Sequence, residues 1–187
     1  MELDTIIDNI YPLPPQSKAL LKQHIYEINH PKATNLFKVN RISKKVYFIK
    51  KGIVRAYASQ NDEEITFWFG KEGDAVISMK NYVEDQKGYE TIELLEPCDL
   101  YEIGIEELRA LYNTDIQIAN WGRKFAEQEL VKIEERFISR QCQPAVERYK
   151  ELMDKDPDLL QRVQLTHIAS YLGITPVSLS RIRAELK

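Results

Sequence analysis

From Ile28 to about Ile103 the chain is cut into short β-branched and aromatic runs, separated by breaks rich in Gly, Asn, Asp and Lys. The clearest runs are Val46–Lys50, Ile53–Ala58, Ile65–Phe69, Thr91–Leu95 and Leu100–Ile103. Lys50-Lys51-Gly52 and Ser59 to Glu64 read as the turns between the first three. Short strands at near-regular spacing, with no helix between them, can bury their apolar faces only as an antiparallel barrel or sandwich. On both sides the pattern turns helical. Residues 1 to about 30 read as helical but are broken by Pro12, Pro14 and Pro15, so a helix carrying Ser17 to Tyr26 should start after the prolines, with Ser17 near its cap. Ile105 to Tyr112 returns to helix.

Asp115 to about Arg140 is the longest uninterrupted helical stretch. Its apolar residues fit heptads: Ile116, Leu130 and Phe137 share one position, and Ala119, Ala126 and Ile133 share the other. Arg123 is the one charge on this seam, and its two alanines let a second helix approach closely. The seam suits a dimer interface. Trp121 and Phe125, just off it, suit packing along the chain's own β domain, and both roles are expected together.

After a helix at Ala145–Met153 comes an acidic break containing Asp154, Asp156, Pro157 and Asp158, which reads as a boundary region. The last stretch, Leu165 to Lys187, reads as two helices joined at Gly173. Thr175 is a good N-cap for the second, with Pro176 at its first position, where the missing N–H costs nothing. Leu165, Ile168, Ala169 and Leu172 should face inward, as should the stripe Leu179, Ile182 and Leu186. Val177, Ser180, Arg181 and Ala184 should face outward. This is a helix-turn-helix pattern, though an ordinary αα-corner has the same periodicity.

The hydrophobic share of 43% with 29% charged residues belongs to a globular chain. No apolar run is long enough to span a bilayer, and the acidic N-terminus is no signal peptide, so a cytoplasmic protein without a membrane partner is expected. The formal charge is −3, yet from Arg162 onward Arg162, Arg181, Arg183 and Lys187 face only one acid, Glu185. A basic end on an acidic body fits local phosphate contact, and equally a solvated helix face. Cys98 and Cys142 stand far apart and suggest neither a disulfide framework nor a zinc site; Cys98 reads as a buried small residue, Cys142 as the better sensing thiol. Two cysteines are too few for an iron–sulfur cluster, and His24, His30 and His167 offer no clear haem ligand. With no P-loop, nucleophile elbow, HExxH motif or cupin-type histidine cluster, an enzyme is not expected, nor a metal or a resident cofactor.

Taken in order, these features resemble the Crp/Fnr superfamily of bacterial transcription regulators across essentially the whole chain. Tyr47-Phe48-Ile49-Lys50-Lys51-Gly52-Ile53-Val54-Arg55 looks like that family's β-roll hairpin. Ile168-Ala169-Ser170-Tyr171-Leu172-Gly173-Ile174-Thr175, with Leu179-Ser180-Arg181-Ile182, is similar to its helix-turn-helix. The resemblance implies an α+β architecture: an antiparallel β-roll of the cyclic-nucleotide-binding type over 1–114, a dimerisation helix over 115–140, and a winged-helix-like helix-turn-helix domain over 141–187. It also implies a homodimer joined along Ile116, Ala119, Arg123, Ala126, Leu130, Ile133 and Phe137, double-stranded DNA as ligand and RNA polymerase as a further partner. The two half-sites would lie roughly 34 Å apart on a near-palindromic operator. DNA would be met by Thr166, Thr175, Val177, Ser178, Ser180, Arg181 and Arg183. Thr175 and Ser178 suit phosphate, and Arg181 suits a guanine edge or a phosphate. Pro176 and Val177 depart from the Arg or Glu of many members, which leaves the operator open. The small-molecule effector would sit near Gly73, Asp74, Ala75 and Lys87. Because no arginine follows Gly73-Asp74 up to Tyr89, a cyclic nucleotide is disfavoured as that effector. The competing reading is a ligand-binding β-roll whose helical tail makes protein contacts instead of DNA contacts.

Overall fold

The computed structural model describes residues 1–61 and 63–186. Two short helices, α1 (Leu3–Ile10) and α2 (Pro15–Lys22), lead into β1 (Tyr26–His30), β2 (Asn35–Phe37), β3 (Lys45–Lys51), β4 (Val54–Gln60) and β5 (Glu63–Gly70). The pair β6 (Ala75–Val76) and α3 (Met79–Glu84) follows, then β7 (Thr91–Leu94) and β8 (Cys98–Gly104). Helices complete the chain: α4 (Ile105–Thr114), α5 (Ile116–Cys142), α6 (Ala145–Lys155), α7 (Pro157–Arg162), α8 (Leu165–Leu172) and α9 (Pro176–Glu185). The strands form two four-stranded sheets, ordered β1-β8-β3-β6 and β2-β7-β4-β5, with every pairing antiparallel.

The run Val46-Tyr47-Phe48-Ile49 is apolar without alternation because β3 is buried on both faces. Tyr47 and Ile49 point into the core between the sheets, with Val54, Ile92, Leu94 and Leu100. Val46 and Phe48 point the other way, into a second core with Ile6, Ile7, Leu21, Leu108 and Trp121. Strand β8 divides likewise, Leu100 to the first core and Tyr101 and Ile103 to the second. Each fully buried aliphatic side chain contributes about 1.5–3 kcal/mol, so this two-sided strand pair ties roll and helices together.

Several sequence expectations are corrected. Residues 1 to about 30 are not helical throughout: Tyr26–His30 is a strand, because Ile28 pairs with Leu100 and joins the inter-sheet core. The helix expected to carry Ser17 to Tyr26 stops at Lys22, and Ser17 is buried rather than capping. The strand region does contain a helix, α3, built around Asn81, which is 2% exposed. Its side chain accepts from Ser43 N–H at 2.9 Å and donates to the Gln86 carbonyl at 2.6 Å, fastening the loops on either side. The acidic stretch after Met153 also contains a helix, α7, with Pro157 at its first turn. Among the described residues no strand follows Gly104, and the C-terminal region there is helical.

Long helix α5 starts at a cap: the Asp115 carboxylate accepts from Gln117 N–H at 2.8 Å and Ile118 N–H at 3.2 Å. The Ser17 hydroxyl beside it, and then those two amides, hold the Asp115 carboxyl below the usual range. One face of α5 is fixed to the chain's own body by Ile118 and Trp121, and Gln128 donates to the Ile10 carbonyl at 3.1 Å. The opposite face carries the expected seam. Ile116, Leu130, Ile133 and Phe137 are 50–70% exposed, and Arg123 and Ala126 are exposed beside them. Ala119 is half-buried.

Candidate functional site

Helices α8 and α9 form a corner whose turn depends on Gly173, at φ +66° in the left-handed region that a side chain would strain. Thr175 caps α9 as expected, its hydroxyl accepting from Ser178 N–H at 3.1 Å. Ile168, Ala169, Leu172 and Leu179 are buried, at 0–2% exposure. Leu165 and Leu186 are not: they lie at 37% and 36% exposure, at the ends of the corner, where no element of the described residues covers them fully. Val177 is 62% exposed, and Thr166, Thr175, Ser180, Arg181 and Ala184 are also exposed. Ser178 and Arg183 are half-buried. The face expected to meet DNA is therefore open, and Arg181 stands in it. The expected end of the reading helix at Lys187 lies outside the described residues.

The corner is held on the roll by its other side. Strand β5 is an edge strand of its sheet, and Ser170 of α8 closes part of that edge. The Ser170 hydroxyl accepts from Thr66 N–H at 2.9 Å and donates to the Glu64 carbonyl at 2.8 Å. Ile53, Phe69 and Leu95 of the roll join Tyr149, Leu159, Ile168 and Leu179 in one core. Arg162 adds a fork, bound to Glu72 at 2.8 Å and to Glu96. Burial would raise the Glu72 carboxyl, but hydrogen bonds from Arg162 and Gly52 N–H outweigh it and hold it at about 2, below its ordinary 4.5. A depressed carboxyl stabilises the fold fully above pH 4.5 and loses that contribution as pH falls towards 2. Arg162→Ala should therefore cost about 1–2 kcal/mol at pH 7, a cost that shrinks between pH 4.5 and 2. Urea titrations of both proteins at several pH values measure it, and a pH-independent difference would rule the linkage out.

The expected effector residues fall in two places. Gly73 (φ +98°) and Asp74 make the turn between β5 and β6, where the Asp74 carboxylate accepts from Lys71 N–H at 3.0 Å. Burial raises the Asp74 carboxyl, and Lys132 of α5 lies 3.7 Å from it. Ala75 is buried against Phe48 in the sheet. Lys87 is exposed in the loop before β7, next to Gly88. Sequence reasoning missed Glu90, which is 5% exposed. It lies with the Ser78 hydroxyl against Gly88, where a Cβ would come within 2.9 Å of Ser78 Oγ and 3.3 Å of the Glu90 carboxylate. The acid two residues past Gly88 in an otherwise strand-like run was the available signal.

Of the cysteines, Cys98 is buried and its thiol is pushed up to about 12, chiefly by burial, which leaves it unreactive; Cys142 is exposed. Among the described residues no helix is long and apolar enough to cross a membrane, and no group of His, Cys, Asp and Glu is placed to hold a metal ion.

Residues 27–115 match the family model of the cyclic nucleotide-binding domain. No curated protein matches the sequence. Among solved structures, the chain is similar to FixK2 of Bradyrhizobium japonicum, with TM-score 0.75 and 20% identity over 87% of this chain and 84% of that one. The c-di-GMP-responsive global regulator CLP of Xanthomonas campestris gives TM-score 0.72 and 18% identity, covering 92% and 91%. A protein assigned to the crp/fnr family of transcriptional regulators, from Eubacterium rectale, gives 0.72 and 17%, covering 93% and 85%. The chain thus has the fold of these regulators: a cyclic-nucleotide-binding-type β-roll, antiparallel throughout, followed by a helical C-terminal region.

Proposed function

We propose that the protein is a DNA-binding transcription regulator of the Crp/Fnr type, acting as a homodimer through the α5 seam and reading a near-palindromic operator with α9. The observation that carries this reading is the division of α9 into a buried Leu179 side and an open side displaying Val177, Ser180 and Arg181. A helix with one face held and the other clear has the geometry needed to enter a major groove. The N-terminus of α9, with the Thr175 hydroxyl, supplies donors for a phosphate. Arg181 can address guanine O6 and N7 bidentately, and Val177 can touch a thymine methyl.

The docking of α8 on the roll bears on the competing reading. The helical tail does make protein contacts, but within its own chain, through Arg162, Ser170 and the buried Leu179 side of α9, and the side of α9 that bears Arg181 stays open. A cyclic nucleotide is not the effector we favour at Gly73, Asp74, Ala75 and Lys87, because the buried Glu90 carboxylate beside Gly88 would repel a phosphate brought there. Polymerase contact and a role in activation or repression are expectations of the family resemblance.

Gel-shift titration against genomic fragments at two salt concentrations tests the reading, since phosphate contacts make affinity fall steeply with salt. Arg181→Ala should reduce discrimination between operator and random DNA by about 1–3 kcal/mol. If it weakens all DNA equally, Arg181 contacts phosphate instead. Absent or salt-independent binding would sink the proposal.

A further inference from the structure

A cleft of about 320 Å³ opens where strand β5, the C-terminal half of α5 and the α6–α8 region meet. It is apart from the roll's interior and from the open face of α9. Its wall carries a tilted aromatic pair, Phe69 and Tyr171, with ring centroids 5.2 Å apart. Arg136, Ser139 and Arg140 line the α5 side, three and four residues apart on one helix face. Like charges four residues apart destabilise a helix unless an anion lies between them.

Charge around the cleft has the opposite sign to the chain as a whole. The chain's net charge is −3, yet six basic and four acidic side chains line this space. Three of those pairs cancel: Lys71 with Asp156, Lys132 with Asp74 and Lys155 with Glu151. What remains is Arg136, Arg140 and Arg148 against Glu135. Arg148 is a further sign of an absent partner. Its two terminal nitrogens donate to the Gln143 carbonyl at 2.6 Å and the Leu172 carbonyl at 2.5 Å. Its Nε lies out of water with no acceptor among the described residues, an uncompensated buried donor.

We propose that this cleft binds a small planar ligand carrying a phosphate, of mononucleotide size. The volume lies within the ordinary range for ligand pockets. Arginine forks suit phosphate, and an aromatic wall suits a flat ring. The ligand would touch α5 and α8 together, so its binding would set the position of the corner that bears α9. That last consequence rests on the DNA-binding reading; the binding itself does not.

The test is calorimetric titration of the full chain with AMP and GMP, and with adenosine and inorganic phosphate as the half-ligands. Saturable binding of AMP or GMP below about 1 mM is expected, at least about tenfold tighter than either half-ligand. The double variant Arg136→Ala/Arg140→Ala should lose at least about tenfold in affinity, and Glu135→Gln should keep or strengthen it. Lys32→Ala/Lys38→Ala, at exposed positions on the roll, should bind as wild type. Circular dichroism confirms that the exposed-helix variants stay folded. No saturation by either nucleotide at about 10 mM, adenosine binding as tightly as AMP, or unchanged binding in the arginine variant would overturn the proposal. So would loss of binding in the roll variant, which would put the ligand elsewhere. None of these readouts uses DNA, so failure here leaves the gel-shift result standing.

Discussion

Leu130→Glu/Phe137→Glu should turn a dimer into folded monomers and lower operator affinity by about two to four orders of magnitude. The seam gives the reason. Leu130 is 67% and Phe137 63% exposed within one chain, so the substitutions remove little intrachain packing. The body holds α5 by its other face, through Ile118 and Trp121. In a dimer the same two positions would face the partner's seam. There a pair of glutamates loses apolar burial and sets like charges together at a heptad core. Losing the second half-site removes the effective-concentration gain of bivalent binding, about 10²–10⁴. Sedimentation velocity reads the first effect and gel shift the second. A wild-type chain that sediments as a monomer, or a variant that stays dimeric, would refute the seam. A monomeric variant with unchanged DNA affinity would separate dimerisation from recognition and sink the palindromic-operator part of the reading.

The sequence announced what periodicity can carry. The runs at Val46–Lys50 and Leu100–Ile103 lie within the observed strands, and Thr175 with Gly173 marked the corner because cap and turn chemistry are local. It was silent where partners decide. Tyr26–His30 is a strand only because β8 offers an edge to Ile28, and nothing within those five residues says so. Helix α3 forms over six residues, too short for a helical period to emerge, and Asn81 holds it from loops some forty residues apart in sequence. The open side of α9 was legible because a 3.6-residue period sorts faces. The attachment of the corner to the roll was not. Ser170 reads as a small polar residue, and its role appears only when the edge of β5 lies beside it. Glu90 and the arginine-lined cleft were hidden for the same reason, since burial and convergence are properties of the assembled fold.

Trp121→Ala should destabilise the protein by about 3–5 kcal/mol, the largest loss expected from any single truncation here. Trp121 is 1% exposed at the junction of three elements. Its ring stacks on Phe125 at 6.3 Å and meets the edge of Phe48 at 6.0 Å, and its indole N–H donates to the Ile7 carbonyl at 3.0 Å. Truncation leaves a cavity between α5 and β3 and removes the indole's hydrogen bond to a carbonyl that keeps only its other partner, Tyr11 N–H at 3.1 Å, two separate costs. Trp121→Phe divides them, because it keeps most of the volume and removes only the donor. It should recover more than half of the loss. Urea unfolding followed by circular dichroism gives both numbers. Equal losses in the two variants would mean that the hydrogen bond, not the packing, fixes α5 to the roll. If so, the rigid link between β3 and the dimer seam would have to be sought in α1, whose Ile7 offers the carbonyl.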